Sequence, residues 1–239
     1  MGKHVNEQGF CVYSGVWWQL ALPQVIILVH LGICLAISVW AASRPATGWF
    51  TMAVGFPLGF LAWTLFEYCL HRWLLHHTRH PLPRRIFWNG FHREHHMYPE
   101  MEDPDPHGIH PAVSLPIIAM LVGTVALTTE SGWGLVVTAG WILGYCAYEA
   151  LHWLFHAGDP ENGLAKRWFI KELWEAHTVH HLYRANKNYG FVTMFWDKAF
   201  GTYLSLAEVL EKRSKAVREA AAAKVDVPQD AQADVCVHR

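Results

Sequence analysis

The chain has 239 residues, enough for one folded domain. Hydrophobic residues make up 52% of it and charged residues only 16%, a profile that is typical of a membrane protein with a polar working end. The net charge of −1 argues against a nucleic-acid-binding protein, because binding to phosphates requires a basic surface. Histidine stands out with 17 copies and carries most of the functional signal.

Four stretches of the chain contain no Asp, Glu, Lys or Arg. Each has close to, or more than, the roughly 20 residues that a helix needs to cross the apolar core of a bilayer. They run from Gln8 to Ser43, from Pro45 to Phe66, from Gly108 to Thr129 and from Ser131 to Tyr148. We therefore expect an all-α integral membrane protein with four transmembrane helices. The alternative is a soluble protein with four buried helices, which is unusual for so short a chain.

The joints between these stretches predict two helical hairpins. Arg44 and its neighbours separate the first pair and Glu130 the second, and both joints are too short to hold a domain. If both hairpins insert in the same direction, Arg44 is the one basic residue on the side of the turns. The other 18 of the 19 Lys and Arg then lie on the opposite side. By the positive-inside rule that side, with both termini, is cytoplasmic.

We expect a single membrane domain over residues 1–225 and a flexible C-terminal tail over residues 226–239. The segment from Leu204 to Val225 has the pattern of an amphipathic helix outside the membrane. The five cysteines include no CxxC pair, and several lie within apolar stretches, where a thiol behaves as a small hydrophobic side chain. No structural disulfide is expected.

Ten histidines form four groups on the predicted cytoplasmic side. Their spacings are HxxxxH, HxxHH, HxxxH and HxxHH, and they comprise His71 and His76, then His92, His95 and His96, then His152 and His156, then His177, His180 and His181. Helix residues three and four apart share a face, so each HxxHH motif projects its imidazoles from one stripe. Adjacent histidines point about 100° apart and suit two neighbouring ions. His71 and His76 are five apart, so we expect them to serve different metals or to lie where the helix ends.

This set of imidazoles predicts a two-metal site held by a cytoplasmic helical cap. Imidazole binds Fe, Zn, Cu and Ni, and ten ligands match two ions of about five nitrogens each. Zinc prefers four ligands, so the set favours iron, although purified protein could carry zinc instead. His77 is the alternative ligand should His76 not bind. The competing interpretation is that these histidines are packed inside the protein or lie at the membrane interface. It explains a single motif more readily than four motifs on the same side.

Two acidic residues at the ends of apolar stretches are candidates for supporting the ligands. Glu67 stands one turn before His71, and Glu149 stands three residues before His152. A ligating imidazole usually donates its second N–H to a carboxylate or a carbonyl, and an idle charge at such a position is costly. We expect both acids to orient ligands. The alternative is that they only mark the membrane interface.

These motifs resemble those of the fatty acid hydroxylase / sterol desaturase superfamily of membrane di-iron enzymes. Residues 91–99, FHREHHMYP, resemble the family's HGxHHxYP block, and residues 148–156, YEALHWLFH, its YxxxHxxxH block. Residues 177–183, HTVHHLY, and 189–202, YGFVTMFWDKAFGT, are similar to its HxxHHY…FGVTSxxWDxxFGT ending. The similarity covers about residues 50 to 205 and most resembles the fatty acid 2-hydroxylase branch.

The resemblance implies that the ten histidines bind two iron ions and act in catalysis through them. It implies O2-dependent hydroxylation of a lipid acyl chain next to its carbonyl, with two electrons consumed and water released. Because the chain enters its first apolar stretch almost at once, we expect the electrons from a separate cytochrome b5-like or ferredoxin-like carrier. The segment from Asp103 to His110 departs from the family pattern, which leaves the lipid head group and the oxidised carbon open.

Other functions are compatible with parts of this pattern. Within the superfamily they are a sterol desaturase or methyl oxidase and a carotenoid hydroxylase, so desaturation stays open beside hydroxylation. From another class, a membrane metal transporter would use histidines, but transport normally needs ionisable ligands near mid-membrane, and only His30 lies deep in an apolar stretch. The sequence contains no HExxH, which argues against an intramembrane zinc protease.

Overall fold

The computed structural model describes residues 3–5, 11–13, 22–45, 47–93, 96, 111–128, 132–157, 163 and 166–225. Helices dominate these ranges, which confirms the predicted all-α class. The α-helices are α1 (Leu22–Ala42), α2 (Trp49–Cys69), α3 (Pro111–Thr128), α4 (Trp133–Ala157), α5 (Trp168–Leu182), α6 (Phe195–Ala199) and α7 (Leu206–Val225). Two π-helical segments are π1 (Leu70–His76) and π2 (Arg84–His92), and a short α-helical turn, Pro81–Pro83, precedes π2.

A small hairpin near the start of the chain was not predicted. Strands β1 (Lys3–Val5) and β2 (Cys11–Tyr13) pair in antiparallel fashion, with Lys3 opposite Tyr13 and Val5 opposite Cys11. The strands are three residues each, too short for the alternation of apolar and polar residues to reveal them. Strand β2 falls inside the first uncharged stretch, and the helix that this stretch predicted is described from Leu22 onwards.

Three of the described helices are long and apolar enough to cross a membrane. They are Gln24–Ala42, Trp49–His76 and Trp133–His156, and a shorter apolar helix, Ser114–Val125, lies within α3. Together with exposed apolar side chains such as Leu28 and Leu35, each 66% exposed, these helices identify a membrane protein. The count of four spans stays a prediction.

Helix α4 lies at the centre of the bundle and touches α2 along close backbone contacts. A β-carbon at Gly140 would lie 2.0 Å from the carbonyl oxygen of Phe56, and one at Gly59 would lie 1.9 Å from that of Val137. Small residues let helix backbones approach closely, and in membranes this packing is a main source of helix association. Glycine is therefore required at both positions of the α2–α4 contact.

An aromatic cluster fixes the end of this contact that leads towards the histidines. Trp63 of α2 is 1% exposed, and its ring centroid lies 4.5 Å from that of Trp141, 5.3 Å from Tyr145 and 5.8 Å from Tyr148, all on α4. Edge-to-face aromatic pairs stabilise beyond the area they bury. The cluster sets the positions of the ends of α2 and α4, from which the metal-binding candidates project.

Helix α7 confirms the amphipathic helix predicted near the C-terminus. Ser205 precedes it, and Glu208 Oε2 accepts hydrogen bonds from Ser205 N at 3.0 Å and from Ser205 Oγ at 2.8 Å. Glu208 N donates back to Ser205 Oγ, so the two residues form a capping box. The hydrogen bonds from Ser205 lower the pKa of the Glu208 carboxyl. The predicted tail, residues 226–239, lies outside the described residues.

Candidate metal centre

Five imidazoles from four separate parts of the chain converge in a first cluster. His71 and His76 come from π1, His92 from the end of π2, His96 from just beyond it and His180 from α5. One ring nitrogen of each lies within 4.8 Å of one ring nitrogen of every other. His180 is fully buried and His71 is 3% exposed. Such a meeting of residues distant in sequence is typical of a metal site.

One Nε2 atom of the five, that of His76, lies close to all of the others. His76 Nε2 lies 2.8–3.2 Å from the Nε2 atoms of all four other residues. The other four follow one another in the order His71, His92, His96 and His180, and each Nε2 atom is 3.1 Å from the next. His76 is therefore the common neighbour of the other four imidazoles in this cluster.

These separations fit ligands that surround one ion. An imidazole nitrogen lies about 2.1 Å from a divalent ion, so neighbouring ligands are about 3.0 Å apart at right angles and about 3.4 Å apart in a tetrahedron. The observed 2.8–3.2 Å is therefore compatible with five imidazoles that share one metal ion.

The hydrogen bonds of two of these rings support the same reading. His71 Nδ1 donates to the carbonyl of Tyr189 at 2.7 Å, and His180 Nδ1 donates to the carbonyl of Lys187 at 2.6 Å. Because a carbonyl only accepts, this assigns the proton of each neutral ring to Nδ1 and leaves a lone pair on Nε2. Lone pairs that point at a common centre repel one another unless a cation lies there.

The π-helical conformation explains how His71 and His76 meet. Their spacing in an α-helix predicted different directions, but their Nε2 atoms are 3.2 Å apart and both rings lie in one cluster. In a π-helix residue i bonds to residue i+5, so residues five apart lie closer to one face than they do in an α-helix. His76 is also the last residue of π1, as the second alternative expected.

A second cluster lies at the end of α4 and on α5. Its members are His152, His156 and His177, all buried, with ring nitrogens within 4.8 Å of one another. The Nε2 atoms of His156 and His177 are 2.9 Å apart. The ring of His181 lies beside them, with centroids 4.4 Å from His177 and 5.2 Å from His156. The two pairs spaced four apart therefore face the same cluster, as helix geometry predicted.

The two clusters are in direct contact. His96 of the first stacks on His181 beside the second, with centroids 4.4 Å apart. On another side the ring of Phe191 lies 5.2 Å from His71 and 4.9 Å from His177. Phe191 is 4% exposed, so a buried aromatic ring packs against both clusters. The adjacent residues His180 and His181 divide between the clusters, as predicted.

Nine of the ten histidines selected from the sequence lie in or beside these clusters, and His95 lies outside the described residues. His77, the alternative to His76, is exposed and donates from Nδ1 to the carbonyl of Arg72 at 2.7 Å. His30 is buried within α1 and donates to the carbonyl of Ile26 at 2.8 Å. The structure therefore brings His76 to the first cluster and leaves these two apart from both clusters.

The two predicted supporting acids are both buried. Glu67 is 2% exposed, and it accepts hydrogen bonds from Trp63 Nε1 and from the backbone N–H groups of Phe191 and Val192, at 2.9–3.0 Å. It thus reaches the imidazoles through the backbone that carries Phe191. Glu149 is 1% exposed and stands on α4 before the second cluster. That the two acids orient metal ligands stays a prediction.

Sequence reasoning missed the residues that shape the segment after α5. Asp197 is fully buried and accepts hydrogen bonds from the backbone N–H of Tyr189 and Gly190 and from Thr202 Oγ1, at 2.7–2.8 Å. Burial raises the pKa of the Asp197 carboxyl, although these hydrogen bonds oppose the rise. Asn188 is 2% exposed with φ of 56°. The available signal was the WDxxFGT resemblance, which contains Asp197 but gives no reason for its role.

Comparison with known proteins identifies the family. The family model described as fatty acid hydroxylase matches residues 56–202, which include all ten histidines. The chain belongs to the fatty acid hydroxylase family. This confirms the predicted resemblance and the enzyme class, an oxidoreductase of the hydroxylase type.

Named relatives place the chain in the 2-hydroxylase branch of the family. It is 28% identical over 202 residues to dihydroceramide fatty acyl 2-hydroxylase FAH2 of Arabidopsis thaliana, a match that covers 82% of this chain and 77% of that one. It is 30% identical over 157 residues to ceramide very long chain fatty acid hydroxylase scs7 of Schizosaccharomyces pombe, covering 64% and 43%. Against human fatty acid 2-hydroxylase it is 29% identical over 149 residues, covering 62% and 38%.

A solved structure shares the fold. It is described as full-length scs7p with only the hydroxylase domain visible, and it superposes with a TM-score of 0.58 at 26% sequence identity. The match covers 80% of this chain and 67% of that one. The chain therefore spans most of the plant relative but less than half of the fission yeast and human ones.

Proposed function

We propose that this protein is an O2-dependent hydroxylase that places a hydroxyl group on a lipid acyl chain, at the carbon next to the carbonyl. One substrate C–H bond and O2 are converted to C–OH and water, with two electrons and two protons taken up. The observation that carries the proposal is the pair of adjoining histidine clusters at the ends of apolar helices in a member of this family.

We propose the ten histidines of the four motifs as the ligands of two iron ions. His71, His76, His92, His96 and His180 would hold one ion, and His152, His156, His177 and His181 would hold the other, joined by His95. When bound, iron supplies the oxidising power that breaks an unactivated alkyl C–H bond, which acid–base side chains cannot provide. Most of these rings are buried, and two rings of the first site are fixed by backbone carbonyls.

The position of the clusters suits a substrate whose tail stays in lipid. The spans Trp49–His76 and Trp133–His156 both end in cluster histidines, so an acyl chain can reach the centre from the bilayer. A cavity of about 310 Å³ adjoins His76 and is lined by His77, Thr78, Arg79, Arg84 and Trp88. Its two arginines suit a polar head group, while the apolar tail stays among the helices.

The orientation and the electron source belong to the proposal as well. The positive-inside rule places the clusters on the cytoplasmic side. There a soluble or membrane-attached electron carrier of the cytochrome b5-like or ferredoxin-like class would deliver two electrons per turnover. Protease protection in sealed vesicles, with epitopes at both termini, measures the orientation independently of activity.

Product analysis under labelled oxygen tests the function. Protein purified with iron is supplied with a reducing system, very long chain fatty acid or ceramide, and ¹⁸O2. We expect a 2-hydroxy acyl product with one ¹⁸O atom, since the hydroxyl oxygen comes from O2. A sterol, a carotenoid or a desaturated acyl chain as the labelled or altered product would contradict the proposed substrate and reaction.

The control is a protein that keeps its fold but lacks one cluster. His76→Ala removes the imidazole that contacts all four others of the first cluster and is expected to abolish the labelled product. His80→Ala removes an exposed imidazole that belongs to neither cluster and is expected to leave product formation unchanged. Full activity of His76→Ala would contradict the assigned role of the first cluster.

A further inference from the structure

We propose that Asn188 and Asp197 are positioning residues that tune the metal affinity of the first cluster without touching its imidazoles. They act on a strip of backbone, residues 187–190, whose carbonyls orient two of the five rings. The inference rests on the proposed metal centre. It adds to that centre a support from outside the histidine motifs.

The strip presents two carbonyls to the cluster from either side of one residue. Lys187 O accepts from His180 Nδ1 at 2.6 Å, and Tyr189 O accepts from His71 Nδ1 at 2.7 Å. The residue between them, Asn188, has φ of 56°, in the left-handed region that Asn adopts more readily than most residues. The left-handed turn lets alternate carbonyls reach rings that come from two different elements, π1 and α5.

Hydrogen bonds from Asn188 anchor the strip to the scaffold. Its Nδ2 donates to the carbonyl of Ala176 on α5 at 3.1 Å and to that of Leu204 at 2.8 Å. Its Oδ1 accepts from Leu204 N at 2.8 Å, and its backbone N donates to Thr202 O at 3.1 Å. The side chain therefore fixes the strip relative to the helix that carries His180.

Asp197 holds the other half of the strip. Its Oδ1 accepts from Tyr189 N at 2.8 Å and its Oδ2 from Gly190 N at 2.7 Å, while Thr202 Oγ1 donates to Oδ1 at 2.7 Å. These donors leave the Tyr189 carbonyl directed at His71. Asn in place of Asp197 would present an NH2 group to one of these N–H donors, so at least one hydrogen bond would be lost.

Outer partners of this kind typically change metal affinity or activity by about 10–100-fold when they are mutated. The effect here should be confined to the first cluster, because both carbonyls of the strip serve that cluster. A residue with a merely structural role would instead lower the affinity of both clusters together, or of neither.

Backgrounds that keep one cluster each make this measurable. His156→Ala leaves the first cluster intact, and His76→Ala leaves the second. Fe²⁺ binding to each full-length protein is measured anaerobically by equilibrium dialysis with metal analysis. In the His156→Ala background we expect Asp197→Asn and Asn188→Gly each to weaken Fe²⁺ binding about 10–100-fold. In the His76→Ala background we expect no change.

Two further variants separate the causes. Asn188→Gly keeps the left-handed conformation and loses the side-chain hydrogen bonds, whereas Asn188→Ala also adds strain, so Ala should be the weaker binder of the two. Ser205→Ala is the matched control, because it removes hydrogen bonds of the nearby α7 cap and leaves the strip untouched. Size-exclusion profiles establish that each variant is folded.

The proposal is overturned if both variants bind Fe²⁺ as tightly as their His156→Ala parent. It is equally overturned if binding falls by the same factor in both backgrounds, which would indicate general destabilisation. Failure of both parents to bind Fe²⁺ is a different result, since it would reject the metal centre itself and this inference with it.

Discussion

Helix packing between α2 and α4 should control both stability and the geometry of the metal centre. The β-carbon introduced by Gly59→Ala would lie 1.9 Å from Val137 O, where ordinary contact begins at 3.4 Å, so the backbones must separate by about 1.5 Å. Gly140→Ala requires about 1.4 Å, because its nearest atom, Phe56 O, is at 2.0 Å. Overpacking of this kind costs about 1–3 kcal/mol. Each kcal/mol lowers the melting temperature of a protein of this size by about 2–4 °C.

The assay is thermal unfolding of purified protein in detergent, followed by Fe²⁺ binding at low temperature. Both variants should melt several degrees below wild type. Because α2 leads to His71 and α4 carries His152, the separated helices should also bind iron more weakly. Gly32→Ala and Gly123→Ala are the controls, since a β-carbon at either position meets nothing within 4 Å. If Gly59→Ala and Gly140→Ala have the same melting temperature as these controls, the close contact between α2 and α4 is contradicted.

Three further outcomes follow from the described contacts. His76→Ala and His156→Ala should each lower the iron content of purified protein by one ion per chain, and loss of both ions from either variant would show that the clusters do not bind independently. Ser205→Ala should speed amide hydrogen exchange in the first turn of α7, because the cap is lost, and unchanged exchange would contradict the capping box. The hydrogen bonds from Ser205 lower the pKa of the Glu208 carboxyl. The stability that they add to the helix is therefore fully present at pH values above the pKa of an unfolded Glu. It is lost as the pH falls through the lowered pKa of the folded state. Acid should therefore fray α7 in wild type and have little further effect in Glu208→Gln, as measured by exchange at a series of pH values.

The sequence was informative wherever a simple periodicity governs the structure. The absence of charge predicted α1, α2 and α4, and the four-residue spacing correctly placed His152 with His156 and His177 with His181. These features depend on local geometry and hydrophobicity, which a single sequence displays directly. The amphipathic helix α7 was predictable for the same reason.

Other parts of the site depend on contacts that spacing does not encode. The π-helix at Leu70–His76 has no signature in residue types, so the five-residue spacing was interpreted with α-helical geometry. The carbonyls that orient His71 and His180 belong to the backbone. Every residue has such a carbonyl, so the residue types give no sign of which ones are used. Glu67 was selected for its cost at a membrane boundary, but its partners, more than 100 residues away, could be found only in three dimensions.

Iron-edge anomalous scattering from crystals of the purified protein tests the central claim most directly. We predict two peaks per chain, one enclosed by the imidazoles of His71, His76, His92, His96 and His180 and the other by those of His152, His156 and His177. A single peak, or peaks away from these rings, would contradict the two-metal centre on which the proposed hydroxylation depends.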